Sequence, residues 1–119
     1  MKKWTLSRWK HEADKYFSLY IRAKYAKVCY TCGARGKTLQ CGHFVARSYL
    51  ATRFDEDNCR PQCVGCNLFG GGKPLDFEEH LRREIGDERV DALKKRRHTI
   101  TKITPKEYEI MIELYKRKI

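Results

Sequence analysis

The chain has 119 residues and a formal charge of +11, with 26 Lys and Arg against 15 Asp and Glu, so it is one small domain and not two. Such an excess of positive charge predicts a polyanionic partner, because phosphate groups neutralise the self-repulsion. No stretch approaches the roughly 18 apolar residues of a membrane span, and the charged start of the chain does not resemble a signal peptide. We therefore expect a cytoplasmic protein without membrane contact. In that reducing compartment, paired cysteines are metal ligands more often than they are disulfides.

The N-terminal segment, residues 5–25, is predicted to form an amphipathic helix. Trp9, Ala13, Phe17 and Ile21 recur at four-residue spacing, which places them on one helix face. An aromatic stripe at this spacing is usually core, so we expect this face to be buried and not to stack on nucleobases.

Two CxxC pairs, Cys29 with Cys32 and Cys63 with Cys66, stand out in the central segment. This spacing lets both thiolates of one turn reach the same ion, and four thiolates complete a tetrahedron, so the sequence predicts a structural Zn²⁺ site. Residues 33–62 separate the pairs, a gap longer than the roughly 15–20 residues of a simple zinc ribbon. The gap is therefore expected to carry a further functional element.

The C-terminal part, residues 76–119, is predicted to contain three helices that each begin with a polar capping residue. The starts are Asp76 in a capping box with Glu79, then Asp87, and finally Thr104 before Pro105 and Glu107. Gly86 is placed to end the first of these helices.

Cysteines and histidines outside these patterns are given structural or surface roles. Free cysteine is among the most buried residue types, so Cys41 and Cys59 are predicted core residues, although either could replace a ligand of the CxxC pairs. The remaining histidines lie in helical or basic segments and are predicted surface residues: His11, His80 and His98.

Three polar residues and the two cysteine pairs alternate along the chain in a characteristic order. His43 lies in a short extended piece, Asn58 comes later in the gap, and Asn67 directly follows the second pair. Taken singly each residue is a weak signal, since a lone histidine is more often structural than catalytic. The order as a whole resembles the ββα-metal nucleases of the HNH class, and it is especially similar to the zinc-knuckle type represented by phage recombination endonuclease VII.

Further stretches match a second pattern: Cys29–Gly33, Gly42–Phe44, Arg53-Phe54 with Asn58, Gln62–Asn67, Leu81–Gly86 and Val90–Leu93, with the leading helix around Ser7-Arg8-Trp9. Together they cover nearly the whole chain and resemble the phage NinG or Rap family of recombination proteins. This resemblance implies a phage-encoded protein in the bacterial host that cuts branched DNA such as Holliday junctions and D-loops. Family members have an acidic residue three positions before the histidine, where this sequence has Gln40.

The resemblance implies an α+β fold with a small zinc-stabilised ββα-metal core at residues 29–70. An N-terminal helix and C-terminal helices would flank this core within a single HNH-like endonuclease domain, residues 1–119. Symmetric resolution of a junction needs two active sites, and the aromatic-rich helices at both ends could supply a homodimer face or could simply close the core.

Site roles follow from the same resemblance. His43 would act as the general base, and Asn58 would brace the loop or hold His43 in the required tautomer. A catalytic Mg²⁺ or Mn²⁺ would be held partly by Asn67. Hard cations prefer oxygen ligands, and several groups could complete the metal shell, of which we favour Glu56. The candidates are Gln40, a backbone carbonyl near Cys41, and the carboxylates Asp55, Glu56 and Asp57.

Basic residues near this site are the predicted DNA contacts, because Lys and Arg suit backbone phosphates. No helix carries the pattern of a major-groove reader, so recognition is expected to follow DNA shape. The predicted contacts are Arg47, Arg53 and Arg60, together with the run Lys94, Lys95, Arg96 and Arg97.

Three other functions are compatible with the sequence. The chain could be a non-catalytic zinc-stabilised DNA-binding module, in which His43 and Asn67 only support the fold, and Gln40 favours this alternative. It could instead be an HNH nuclease that acts on duplex DNA, or an oxidised protein with three disulfides.

Overall fold

A two-stranded antiparallel sheet and five α-helices make up the α+β fold of the computed structural model, which describes residues 2–119. A 3₁₀ turn precedes the second strand and a π-helical turn follows it. In chain order the elements are α1 (Leu6–Lys24), β1 (Leu39–His43), α2 (Leu50–Arg53), the 3₁₀ turn (Glu56–Asn58), β2 (Cys59–Cys63), the π-helical turn (Gly65–Phe69), α3 (Pro74–Ile85), α4 (Asp87–Arg96) and α5 (Pro105–Lys118).

The predicted N-terminal helix is confirmed as α1, with ends one residue inside the predicted range. The Thr5 hydroxyl accepts a hydrogen bond from the amide of Arg8 at 3.1 Å and caps the helix start. The predicted apolar stripe is buried, and it packs against α5 and the sheet. Burial of this stripe in the core, and not base stacking, therefore explains the aromatic spacing.

The strand register places chemically reactive side chains on one face of the sheet. His43 lies opposite Cys59, and Cys41 shares their face because successive strand residues alternate between faces. This face packs against α1, where Cys59 belongs to the core cluster that contains Phe17 and Ile21.

On the other face of the sheet, Gly42 allows the Gln62 side chain to approach closely. A Cβ atom at Gly42 would lie 1.9 Å from the Gln62 side-chain oxygen, so a larger residue does not fit. The Gln62 amide nitrogen donates to the Thr31 hydroxyl at 3.1 Å and to the Gly72 carbonyl at 2.9 Å. Gln62 thereby ties the first cysteine turn to the glycine-rich turn before α3.

The helix starts in the C-terminal part agree only partly with the prediction. The capping box of Thr104 with Glu107 is present, and Gly86, with a φ of 90°, ends α3 as predicted. The predicted Asp76 capping box is wrong, because α3 begins earlier at Pro74, whose ring presets the helical φ and has no amide hydrogen at the first helical position. Asp87 is likewise no cap: it is the first residue of α4 and its carboxylate accepts from Arg82 at 3.0 Å.

The α3–α4 pair is fastened to the rest of the fold by a separate apolar cluster. Phe77, Leu81 and Val90 are fully buried, and Tyr30 and Phe44 pack against them. This cluster joins the first cysteine turn and the end of β1 to the C-terminal helices. Among the described residues, no helix is long and apolar enough to cross a membrane.

Candidate functional site

The two CxxC pairs meet as one four-cysteine cluster. The Sγ atoms of Cys29, Cys32, Cys63 and Cys66 all lie within 4.8 Å of one another, and those of Cys32 and Cys63 are 3.8 Å apart. The amide of Cys66 donates to the Cys63 sulfur at 3.4 Å, as is usual in cysteine knuckles. None of the six cysteines forms a disulfide, and these four could hold a metal such as zinc.

The thiols of this cluster differ in acidity. Burial alone would raise the pKa of Cys29, but the Thr31 hydroxyl and backbone amides, including that of Cys63, lower it to about 6. The Thr31 hydroxyl lowers the pKa of Cys66, but burial and the neighbouring thiols outweigh it and raise the value to about 12. A divalent cation would supply the positive charge that allows all four thiols to ionise.

A cavity of about 440 Å³, lined by both polar and apolar side chains, lies between α1, β1 and the π-helical turn. It brings together His43 and Asn67, which sequence analysis had singled out separately, and adds a carboxylate from α1, Asp14. The polar and charged residues that line the cavity are Asp14, Ser18, Arg22, Thr38, Gln40, His43, Arg47 and Asn67.

His43 stands at the end of β1 in a defined tautomer. Its Nε2 atom lies 2.9 Å from the backbone oxygen of Arg53. A carbonyl oxygen can only accept, so the neutral ring donates from Nε2 and keeps its lone pair on Nδ1. Burial, assisted by the charges of Arg47 and Arg53, lowers the pKa of His43 against the opposing effects of that hydrogen bond and of Asp14. The ring is therefore a neutral imidazole at neutral pH.

Arg53 lies inside the protein and positions the site. Its Nε and Nη2 atoms donate to the Asp14 carboxylate at 2.9 and 2.5 Å, and Nη1 donates to the backbone oxygen of Arg47 at 3.0 Å. The prediction that Arg53 contacts DNA is therefore wrong, because its guanidinium is nearly buried and fully engaged. Asp14 was not predicted as a site residue. The only sequence feature that could have indicated it is its position three residues before the buried Phe17 in the N-terminal helix.

Asn58 is fully buried and braces the loop between the strands. Its side-chain oxygen accepts from the amide of Val45 at 2.7 Å, and its nitrogen donates to the carbonyls of Val45 at 3.0 Å and Thr52 at 3.1 Å. Of the two roles considered for Asn58, the hydrogen bonds correspond to loop bracing. The tautomer of His43 is set instead by the Arg53 carbonyl.

Replacing Asn58 by Ala is expected to destabilise the fold by about 3 kcal/mol, because the Val45 amide and two carbonyls would lose their partner in a buried place. Urea unfolding of both proteins measures this difference. Asn67→Ala is the matched control, since Asn67 is half-buried and its side chain has one hydrogen bond, to Gln40. Equal losses of stability in the two variants would contradict the bracing role.

Glu56 does not reach the cavity, and its prediction as a ligand alongside Asn67 is wrong. Its carboxylate accepts from the Tyr20 hydroxyl at 2.9 Å and from the Lys24 ammonium at 3.0 Å. Burial would raise the pKa of Glu56, but these two hydrogen bonds lower it. The acidic residues on either side are also neutralised, in the ion pairs Asp55–Arg96 and Asp57–Arg89.

The structure also contradicts the prediction that Arg60 contacts DNA. It is 1% exposed, its Nε donates to Glu84 at 3.1 Å, and its guanidinium lies 4.5 Å from the centre of the Tyr25 ring. A buried, paired cation joining β2 to α3 is a structural element and not a phosphate contact.

The remaining predicted DNA contacts include exposed, positively charged side chains. Arg47 is exposed at the cavity, and Lys95 is exposed on α4. The other members of the basic run have protein partners: Lys94 with Glu78, Arg96 with Asp55, and Arg97 with the Tyr49 ring.

Most of the cysteines predicted to be buried and the histidines predicted to be exposed are so in the structure. Cys59 is fully buried and Cys41 packs partly buried against the same cluster. His80 is the exception among the predicted surface histidines, because its Nδ1 lies 2.7 Å from the Tyr30 backbone oxygen and its ring packs on Tyr30. The two exposed histidines are His11 and His98.

A mixed helical and two-stranded fold with a four-cysteine cluster defines a small α+β domain of the cysteine-knuckle kind. The chain belongs to the NinG family, since the family model described as "Bacteriophage Lambda NinG protein" matches residues 1–119.

Curated relatives carry the name "Protein ninG". Those of Escherichia phage 933W and Escherichia phage lambda are 29% and 28% identical over 120 residues, covering 95% of this chain and 57% and 56% of those proteins. That of Salmonella phage P22 is 31% identical over 104 residues, covering 80% of this chain and 49% of the relative. The chain thus spans about half the length of the relatives it matches, and no solved structure matches it.

Proposed function

We propose that this chain is a metal-dependent endonuclease of the HNH type that cuts branched DNA. The observation that carries the proposal is the shared cavity of His43 and Asn67, which also contains the Asp14 carboxylate. His43 ends the first strand, and Asn67 lies in the helical turn directly after the second. This strand, strand and helix order supports a ββα-metal core.

In the proposed reaction the neutral His43 ring takes a proton from water at Nδ1. The resulting hydroxide attacks the phosphorus atom, the bond to the 3′ oxygen breaks, and that oxygen is protonated by solvent. The products are a 5′-phosphate and a 3′-hydroxyl. The hydrogen bond from Nε2 to the Arg53 carbonyl keeps the ring oriented for this role.

The oxygen donors of the cavity fit a hard divalent cation. The Asn67 side-chain nitrogen donates to the Gln40 oxygen at 2.8 Å, so the Asn67 amide oxygen is left to bind metal. Asp14 supplies a carboxylate in place of the acidic residue that Gln40 replaces. Both of its oxygens accept from Arg53, and each keeps a second lone pair that could bind a metal. Mg²⁺ or Mn²⁺ held by Asn67 and Asp14 would polarise the phosphate and stabilise the leaving oxygen.

Arg22 and Arg47 are the proposed phosphate contacts, because both line the cavity beside His43. The Arg22 Nε atom donates to the Ser18 carbonyl and hydroxyl at 3.3 and 3.2 Å, which directs its guanidinium along α1. Arg47 belongs to the predicted set, whereas Arg22 is an addition to it, and Arg53 and Arg60 are not proposed as contacts.

An exposed aromatic residue beside a cavity-lining residue supports branched DNA as the substrate. Leu68 lines the cavity, and the adjacent Phe69 is 87% exposed. An exposed ring is a stacking platform for an unstacked base, which a branch point presents and a continuous duplex does not. A homodimer would supply the two cuts that junction resolution requires.

The test is a cleavage assay with Mg²⁺ or Mn²⁺ on a labelled four-way junction, a D-loop and a duplex of the same sequence. We expect cutting of the branched substrates at least ten times faster than cutting of the duplex. Equal cutting of all three would support the duplex-acting HNH nuclease instead.

The non-catalytic DNA-binding module is the second candidate, and one observation favours it. Gln40 stands where family members have an acidic residue, and its side chain pairs with Asn67 instead of presenting a charge. Binding of the junction without cutting, under both metals, would overturn the nuclease proposal in favour of this module.

A further inference from the structure

We propose that Cys41, His43 and Cys59 form a second transition-metal site, distinct from the four-cysteine cluster and suited to Zn²⁺. The site would use two thiolates and one imidazole, and would leave one coordination position open.

The pairing register of the two strands brings Cys41, His43 and Cys59, here called the trio, to one place. His43 lies directly opposite Cys59, and Cys41 is on the same face two residues earlier. One ligand atom from each residue lies within 4.8 Å of the other two. Tetrahedral zinc separates its ligand atoms by roughly 3.5–3.8 Å. Shifts of less than about 1 Å in each of the two sulfur atoms and the ring nitrogen would therefore complete the site. The strands hold the three side chains together whether or not a metal is bound.

Ligand chemistry selects the metal. Thiolate and imidazole are soft or intermediate ligands that favour Zn²⁺ over Mg²⁺ or Mn²⁺. On binding, each of the two thiols loses its proton to solvent and forms a metal–sulfur bond. A Cys₂His set with an open fourth position is an established arrangement for zinc.

The cavity gives the trio access to solvent. Cys41 and His43 both line it, whereas Cys59 is fully buried behind them. A metal can therefore enter from the cavity, and its open position would face the same space.

Zinc at this site would also block the proposed nuclease. A neutral imidazole has a single nitrogen lone pair, so a metal bound to either ring nitrogen removes the proton-accepting atom of His43. This inhibitory consequence rests on the proposed function, whereas metal binding itself does not.

The first experiment counts zinc bound to the full chain after titration with Zn²⁺ and removal of free metal. We expect two ions per chain in the wild type and one in Cys41→Ser. His98→Ala is the control, because His98 is exposed and outside the trio, and it should bind two. One ion in the wild type, or two in Cys41→Ser, would overturn the proposal.

A second measurement avoids any variant. Cys41 is half-buried, so its alkylation by iodoacetamide, mapped by mass spectrometry, reports on the second site. We expect Cys41 to react when one zinc is bound and to be at least tenfold slower when two are bound. Equal rates at both loadings would contradict the site.

The cleavage assay separates this proposal from the nuclease itself. Micromolar Zn²⁺ should lower junction cleavage by the wild type at least tenfold in the presence of Mg²⁺. If two zinc ions bind but no condition gives cleavage, the proposed function fails and the metal site stands. If cleavage is strong but only one zinc binds, the second site fails and the nuclease stands.

Discussion

Cys63→Ser is expected to abolish the cooperative unfolding transition of this domain. Cys63 is buried, ends β2 and lies within 3.8 Å of the Cys32 sulfur, so it links the sheet to both cysteine turns. Structural zinc contributes about 10–16 kcal/mol in small peptides, whereas a whole domain is stable by only about 5–15 kcal/mol. Loss of one ligand therefore removes an amount of stability comparable to the total.

The measurement is thermal unfolding followed by circular dichroism, with zinc content determined on the same samples. A strong chelator should reproduce the effect in the wild type, and added Zn²⁺ should reverse it. Cys41→Ser is the matched control, because it makes the same chemical change outside the four-cysteine cluster. It should lose only the ion of the proposed second site and should still melt cooperatively. A Cys63→Ser variant within about 1 kcal/mol of the wild type would show that this cluster does not hold a structural metal.

His43→Ala is expected to reduce junction cleavage by about 10²–10⁴-fold, the usual contribution of a general base. The circular dichroism spectrum and junction affinity should change little, because the ring's one hydrogen bond is to the Arg53 carbonyl. The zinc of the four-cysteine cluster should be retained, and only the ion of the proposed Cys41, His43 and Cys59 site should be lost. His98→Ala, which replaces an exposed histidine, should retain full activity. Unchanged cleavage by His43→Ala would remove His43 from the mechanism.

The pH dependence of cleavage tests the same residue. His43 accepts a proton only when neutral, so the rate should fall as the pH drops through its pKa. Burial and the nearby Arg47 charge lower that pKa, which places the fall below the ordinary range of histidine. Arg47→Ala removes a positive charge that opposes protonation, so it should move the fall to higher pH. A shift in the other direction would contradict this assignment.

The sequence alone determined the features that depend on local spacing. Residues 5–25 repeat apolar side chains with helical period, and α1 buries that stripe because one helix face must meet the core. The CxxC spacing likewise predicts the four-cysteine cluster, since two thiols in one turn need only a second such turn to close a site.

The tertiary structure decided which charged groups are free and which meet in one place. Arg53 and Arg60 read as DNA contacts in the sequence, but they pair with Asp14 and Glu84, whose positions along the chain give no sign of the contact. Likewise, the Glu56 carboxylate accepts hydrogen bonds from two side chains of α1 and is not free to bind a metal in the cavity. The strand register that joins Cys41, His43 and Cys59 is also set by the fold. Periodicity and spacing act within one element, whereas a charge is paired by whichever element packs against it.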